Sequence, residues 1–491
     1  MQNNNYWAET LKSALPIGES FDIIVRDLQI GGKKAVMFFV NGLVTGDTMP
    51  MVMSYLLKIK PEEMKDPTDA SLFLKENLPF LDAQTDSQVE SILKFIFSGL
   101  IALAVEGFSE VIIIDSRHYP NRGIEEPSKE KSLRGAKDGF TEAFMTNIAL
   151  IRRRIRDPKL IFTSHTVGTA TRTDVSLVYM KGKADEALVK KIADKLNSIT
   201  IDAVSVGDQT ITEHIIQEIG QKSFLGWLNP YPKVRYTQRP DVAAAHLTEG
   251  KIAIVVDTSP TVILLPTGIF DFLQDVDDYY FPAITGNYFR LLRAFNFIGI
   301  IFITPLYLMF AQAYVPVYDA LKFFIPQGDF AISLFWQFIL LELAIDGLKL
   351  ASLNTPDSLG MSLSVIGALI LGELAITSGW FIPQTILCMA VVALASFTQP
   401  SIELGYGIKF MRIFILIGVQ LGAHLGATSF AAGLLGDSSI SICAIGGAVV
   451  ATIIDFISVA TTKTLAGTSY LYPLMPFDGN AVKHLFFRTK A

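Results

Sequence analysis

The chain has 491 residues, 50% of them hydrophobic and 18% charged, with a net charge of −6 and a mean hydropathy of +0.40. The charge is unevenly spread: residues 294–491 carry 8 Lys/Arg and 10 Asp/Glu, or 9% of their length, whereas residues 1–293 are 24% charged. The second figure is ordinary for soluble domains and the first is far too low for one, so a single soluble enzyme, a disordered chain and a fibrous protein are excluded, and the weak net charge offers nothing to nucleic acid.

In chain order, residues 1–20 are polar and lack the apolar core of a signal peptide, so the N-terminal region is expected to stay in the cytoplasm. Residues 21–29 alternate and run into Gly31-Gly32 and then 33–40, the pattern of a β-hairpin. Residues 89–107 read as one buried helix and 110–115 as a buried strand. A charged stretch follows, 116–159, with Arg117, Arg122, Glu125, Glu126 and Arg134. Within it, residues 140–156 have helical spacing and end in Arg152, Arg153, Arg154 and Arg156 before Pro158. Mixed charge of this kind forms salt bridges at a subunit or domain contact, and that role is expected for Arg117, Glu125, Glu126, Arg134, Arg152, Arg153 and Arg154. The alternative, a phosphate site, lacks a glycine loop.

A second domain is expected from about residue 163. Its elements are a strand at 174–180, a helix at 184–197 with Leu188, Ile192 and Leu196 inward, a strand at 201–206 and a helix at 211–219. This βαβα order suits a small α/β layer domain. Pro240 opens a short helix that Gly250 closes, and 251–256 and 261–265 are strands around Ser259-Pro260. Residues 271–293, rich in Tyr and Phe, lead to the membrane.

Six spans are read in the charge-poor half: 294–316, 330–348, 360–378, 381–397, 408–435 and 440–461. With the N-terminus inside, the inner side holds Arg290, Arg293, Lys349, Lys409, Arg412, Lys463, Lys483, Arg488 and Lys490, and the outer side only Lys322. Small residues recur every four positions at Gly360, Ser364, Ala368 and Gly372, and again at Gly418, Gly422 and Gly426, which lets helix backbones approach closely. For the second ridge, packing within the chain is the leading reading. The first also bears hydroxyls and leads to Glu373, so Ser364, Gly367, Leu371 and Glu373 are expected to line an ion path. The other intramembrane acids are Glu342, Asp346 and Asp455. Lys409 and Arg412 sit near a helix start, so these acids are expected to lack basic partners, favouring cations and repelling anions. The competing reading sets Glu342, Asp346 and Asp455 at the hydrated inner interface. Gln420 and His424 share a helix face, read as a satisfied polar contact.

No Walker loop, GxGxxG, HExxH, GxSxG or CxxC occurs, and Cys388 and Cys443 have no zinc spacing, so no catalytic residue, cofactor or metal is expected.

Several strings are longer than such motifs. Ser116-Arg117-His118-Tyr119-Pro120-Asn121-Arg122, Glu125-Glu126-Pro127, Arg134-Gly135, Asp138-Gly139-Phe140-Thr141-Glu142 and Arg152-Arg153-Arg154-Ile155 resemble the A subunits of GerA-type spore germination receptors. Asn229-Pro230-Tyr231-Pro232, Arg235-Tyr236-Thr237, Arg239-Pro240-Asp241-Val242-Ala243-Ala244, Val256-Asp257-Thr258-Ser259-Pro260 and Tyr470-Leu471-Tyr472-Pro473-Leu474 narrow the resemblance to the stage V sporulation AF branch. It implies a multi-pass protein of the spore inner membrane in spore-forming Firmicutes, without enzymatic activity. It also implies a ring, a homopentamer, acting as an ion channel for monovalent cations, with other germination membrane proteins as partners. The expected fold is an α+β or α/β cytoplasmic region of two subdomains, 1–162 and 163–289, then an α-helical transmembrane domain of about six spans, 290–491. A secondary transporter and a receptor subunit without its own conductance are the alternatives.

Overall fold

The computed structural model describes residues 6–44, 48–64, 70–77, 82–117, 130, 133–204, 207–219, 230–316, 322, 324–326, 331–354, 373–428, 438–479 and 483. It divides into two compact units: residues 1–222, 233–267 and 464–467 form the first, and 223–232, 268–463 and 468–491 the second.

The first unit holds two five-stranded antiparallel sheets. Helix α1 (Tyr6–Ala14) precedes β1 (Ile23–Ile30) and β2 (Lys33–Val40), the expected hairpin, whose turn residues Gly31 and Gly32 both have positive φ. That is the twist a two-residue turn needs, and glycine takes it without steric cost. Then come α2 (Thr48–Leu56), α3 (Ala70–Asn77), β3 (Ala83–Asp86), α4 (Val89–Phe97), β4 (Ile101–Val105) and β5 (Val111–Ile114), giving the order β1-β2-β4-β5-β3. Both faces are covered. Val36, Phe38 and Val40 pack with α1 and α4, while Ala35, Met37 and Phe39 pack with α2 and α3. This is why β2 reads as a continuous apolar run rather than an alternating one.

The single helix expected over 89–107 is instead α4 followed by β4. Gly99, at φ +92°, makes the break, and a Cβ there would lie 2.9 Å from Leu43 O. An unbroken apolar run does not by itself distinguish a buried helix from a buried strand.

Helix α5 (Phe144–Arg154), shorter than expected, leads into β6 (Leu160–Val167), β7 (Thr173–Met180), α6 (Glu186–Ser198), α7 (Gly207–Ile219), β8 (Arg235–Thr237), α8 (Pro240–Thr248), β9 (Ile252–Val256) and β10 (Val262–Leu265). The order is β6-β7-β9-β10-β8, antiparallel throughout. Asp185 caps α6, and Leu188, Ile192 and Leu196 turn inward as expected, joined by Ile211 and Ile215 of α7. The strand expected at 201–206 is not formed over 201–204, and residues 205–206 lie outside the described residues. The sheet takes β9 beside β7, and β10 beside β9, instead, so the βαβα reading gives way to an antiparallel sheet.

The second unit is helical. It comprises α9 (Ile269–Leu273), α10 (Asp277–Tyr280), α11 (Ala283–Ala311), α12 (Leu334–Asn354), α13 (Pro383–Phe397), α14 (Ile402–Gly426) and α15 (Ser439–Thr461). Among the described residues, α11 and α15 are long and apolar enough to cross a membrane. Of the other four expected spans, α12 carries Glu342, Asp346 and Lys349, α13 has only 15 residues, and α14 carries Lys409 and Arg412. The span at 360–378 lies outside the described residues up to residue 372. The fold is thus an α/β region with two sheets followed by apolar helices of membrane-associated character, with two candidate spans where six were expected.

Helices α14 and α15 show what the glycine ridge does. A Cβ on Gly418 would lie 2.7 Å from Gly447 O, and one on Gly426 would lie 2.6 Å from Ser439 O; Gly422 faces the Cys443 backbone. The ridge therefore packs within the chain. Gly422→Leu is expected to destabilise the solubilised protein by about 1–3 kcal/mol through overpacking. Gly446→Leu, where a Cβ meets open space, is expected to leave it unchanged. Thermal unfolding of the two variants side by side checks this.

Candidate functional site

Helix α12 presents Glu342 and Asp346 at i,i+4, and α14 presents Lys409 and Arg412 at i,i+3, each pair about one turn apart. The two faces meet. Arg412 binds Glu342, Lys409 binds Asp346, and Lys409 Nζ also lies 3.3 Å from Glu342 Oε2. Arg412 Nη1 donates to Ile300 O of α11 at 3.1 Å, so three helices share the network. Glu342 and Arg412 are each 3% exposed. The expectation that these acids lack basic partners is therefore overturned for Glu342 and Asp346. A position near a helix start still lets a long basic side chain reach a neighbouring helix.

Asp455, on α15, has a buried Oδ2 without a hydrogen-bond partner among the described residues. Gln420 Oε1 is likewise without one, so the satisfied contact expected there is not seen for that atom, and His424 is exposed. Glu373 lies in a short helical stretch and is exposed, with no partner for its carboxylate among the described residues; Leu374, Ile376 and Trp380 beside it are exposed too. Ser364, Gly367 and Leu371 lie outside the described residues.

A second charged group sits at the start of α11. Arg293 forks onto Asp278, with Nη2 to Oδ1 at 2.6 Å, and also donates to Leu273 O. Arg290 lies 3.6 Å from the same carboxylate and 4.7 Å from the Tyr279 ring. Gln399 donates to Arg293 O at 3.3 Å, and Asn296 donates to Thr398 Oγ1 at 3.1 Å, which ties α11 to the α13–α14 connection. In the sequence Arg290 and Arg293 registered only as loop charges; their i,i+3 spacing was the available sign of a shared partner.

The arginines of the first unit have separate roles. Arg152 is fully buried: Nε binds Asp22 Oδ2 at 2.8 Å, Nη1 binds Asp157 O, and Nη2 binds Leu160 O at 2.9 Å. Its guanidinium also lies 4.9 Å from the Phe97 ring and 4.8 Å from the Phe162 ring. It thus joins the segment entering β1 to the segment entering β6, one from each sheet. Arg154 pairs with Asp138 at 2.6 Å. Arg117 pairs with Asp115 and holds that carboxyl below its ordinary range. Arg153 and Arg134 are exposed, and Glu125 and Glu126 lie outside the described residues. Arg239, 1% exposed, binds Asp241 and the carbonyls of Glu130 and Ala136. Burial pushes the Glu130 carboxyl up, while that same group accepts from Gln238 N and Thr237 Oγ1. Asp22 and Glu130 carry no sign in the sequence, because each binds a residue more than a hundred positions away.

The family described as Bacillus/Clostridium GerA spore germination protein matches residues 9–436. The chain belongs to this GerA family. Stage V sporulation protein AF of Bacillus subtilis (strain 168) is 34% identical over 488 residues, covering 98% of this chain and 91% of that protein. Spore germination protein KA of the same organism is 27% identical over 488 residues, covering 98% and 83%. The crystal structure of the N-terminal domain of the A subunit of the Bacillus megaterium spore germinant receptor GerK3 is similar at 28% identity over 53% of this chain and 92% of that one, with a TM-score of 0.39. Membership in the GerA family assigns this chain a receptor- or channel-type role in spore germination rather than catalysis. Among the described residues, no group of three or more His, Cys, Asp or Glu is placed to hold a metal.

Proposed function

We propose that this GerA-family protein is an oligomeric cation channel that releases monovalent ions during germination. In this reading two cytoplasmic subdomains, 1–162 and 163–289, control a membrane domain of about six spans in the spore inner membrane, 290–491, and copies of the chain form a ring, a pentamer by resemblance. The observation that carries the reading is Glu373. Glu342 and Asp346 are neutralised inside the fold, whereas Glu373 is exposed on the surface of the single chain among apolar neighbours. A carboxylate costs about 2.5–3.5 kcal/mol at mid-bilayer on insertion scales, so this face is suited to water or to a neighbouring subunit rather than to lipid. A ring of such carboxylates selects cations. Ser364, Gly367 and Leu371 complete the proposed path.

In potassium-loaded liposomes, Glu373→Gln is expected to slow cation release at least several-fold and Leu371→Ala to change its rate. Wild-type release from both variants would remove these residues from the path. A receptor subunit without its own conductance is the second reading; liposomes with this chain alone would then stay sealed.

A further inference from the structure

Among the described residues, the chain passes between its two units after Pro232, Thr267, Lys463 and Gly467. On the side of the second unit, the residues next to these crossings bind one another. Tyr470 Oη donates to Pro232 O at 2.8 Å, Ile269 N donates to Tyr470 O at 3.0 Å, and Tyr470 N donates to Thr462 O at 3.1 Å. The Tyr231 and Tyr470 rings pack with centroids 6.3 Å apart, and both side chains are buried. This cluster is seated on α14. Tyr231 Oη donates to Met411 Sδ at 3.4 Å, and Gly407 makes room for it: a Cβ there would lie 3.2 Å from Pro230 O and 3.4 Å from Tyr231 Cδ1. Burial, and after it the Asp455 carboxylate on α15, raises the pKa of the Tyr231 phenol, so it stays protonated. On the other side of the crossing, Thr267 Oγ1 holds Lys233 O at 3.0 Å and Val234 is buried in the core of the second sheet. Two peptide bonds therefore separate Tyr231, fixed on α14, from Lys233, fixed beside that sheet.

We infer that Tyr231 is a positioning residue of the membrane region: seated on α14 against Gly407 and covered by Tyr470, it ties the position of α14, and through the glycine seam that of α15, to residues 230–233. Displacement of residues 230–232 then moves a buried ring seated on α14. The inference rests on the channel reading for its consequence, which is control of conductance.

The test uses the full-length protein. Tyr231→Ala empties the seat; Gly407→Ala favours the helix but crowds Pro230 O; Tyr231→Phe keeps the ring. In potassium-loaded liposomes we expect Tyr231→Ala to lose at least ten-fold in release rate and Gly407→Ala at least three-fold, each with wild-type oligomer size. Tyr231→Phe should stay within two-fold of wild type. Amide exchange over residues 404–411 should rise about ten-fold in Tyr231→Ala. Gly407→Ala serves if Tyr231→Ala does not fold. A conducting wild type beside Tyr231→Ala or Gly407→Ala proteins that release equally overturns the inference alone, as does wild-type exchange over 404–411 in Tyr231→Ala. A wild-type protein that releases nothing overturns the channel reading and the control role with it.

Discussion

Replacing Arg152 by Met, with Asp22 left in place, is expected to cost the full-length protein about 3–5 kcal/mol of stability, because a carboxylate is then stranded in the interior. Both partners have fully buried side chains. The loss extends beyond the pair: Asp157 O and Leu160 O lose their donor, and Phe97 and Phe162 lose the cation between their rings. Asp22→Asn combined with Arg152→Met is expected to recover part of the loss, since no charge remains uncompensated. Arg153→Met, one residue along but exposed, should fall within about 0.5 kcal/mol of wild type. Thermal unfolding in detergent ranks the three variants. Equal midpoints for Arg152→Met and Arg153→Met would mean that the buried pair does not join the two sheets.

The second large effect is expected inside the membrane region. The network there balances two carboxylates, Glu342 and Asp346, against two cations, Lys409 and Arg412. Arg412→Leu leaves one negative charge in excess and removes the donor to Ile300 O, at a cost of about 3–5 kcal/mol. Lys409 already lies 3.3 Å from Glu342 Oε2 and softens that loss. Glu342→Leu leaves one positive charge in excess, with Arg412 nearly buried. The double substitution Glu342→Leu with Arg412→Leu restores neutrality and is expected to be more stable than either single variant. A double-mutant cycle on thermal midpoints reads this coupling, and simple additivity would contradict it.

Local pattern was legible and distant pairing was not. The 23–40 hairpin showed in its alternation and paired glycines, and α6 in Leu188, Ile192 and Leu196. The break at Gly99 was hidden because the residues on both sides are apolar for different reasons: one side faces inward from a helix and the other lies in a strand covered on both faces. The glycine ridge on α14 was visible as spacing, and packing within the chain proved to be its use. The partners of Glu342 and Asp346 were missed because Lys409 and Arg412 lie more than sixty residues away, and no periodicity reports which helix faces which. Arg152 showed the same limit: the sequence suggests a salt bridge at a subunit or domain contact, but no local pattern names its partner, Asp22, 130 residues away. The long motifs carried the family, and residues 9–436 bear it out.

In the proposed channel, copies of this chain form a cation path with Glu373 facing it. The most direct measurement is the reversal potential of wild-type and Glu373→Gln proteins in planar bilayers under a potassium chloride gradient. The wild-type potential is expected near the potassium equilibrium value, shifting toward zero in the variant while oligomer size is unchanged. A wild-type bilayer without conductance, or one whose selectivity is the same with Gln at position 373, would contradict it.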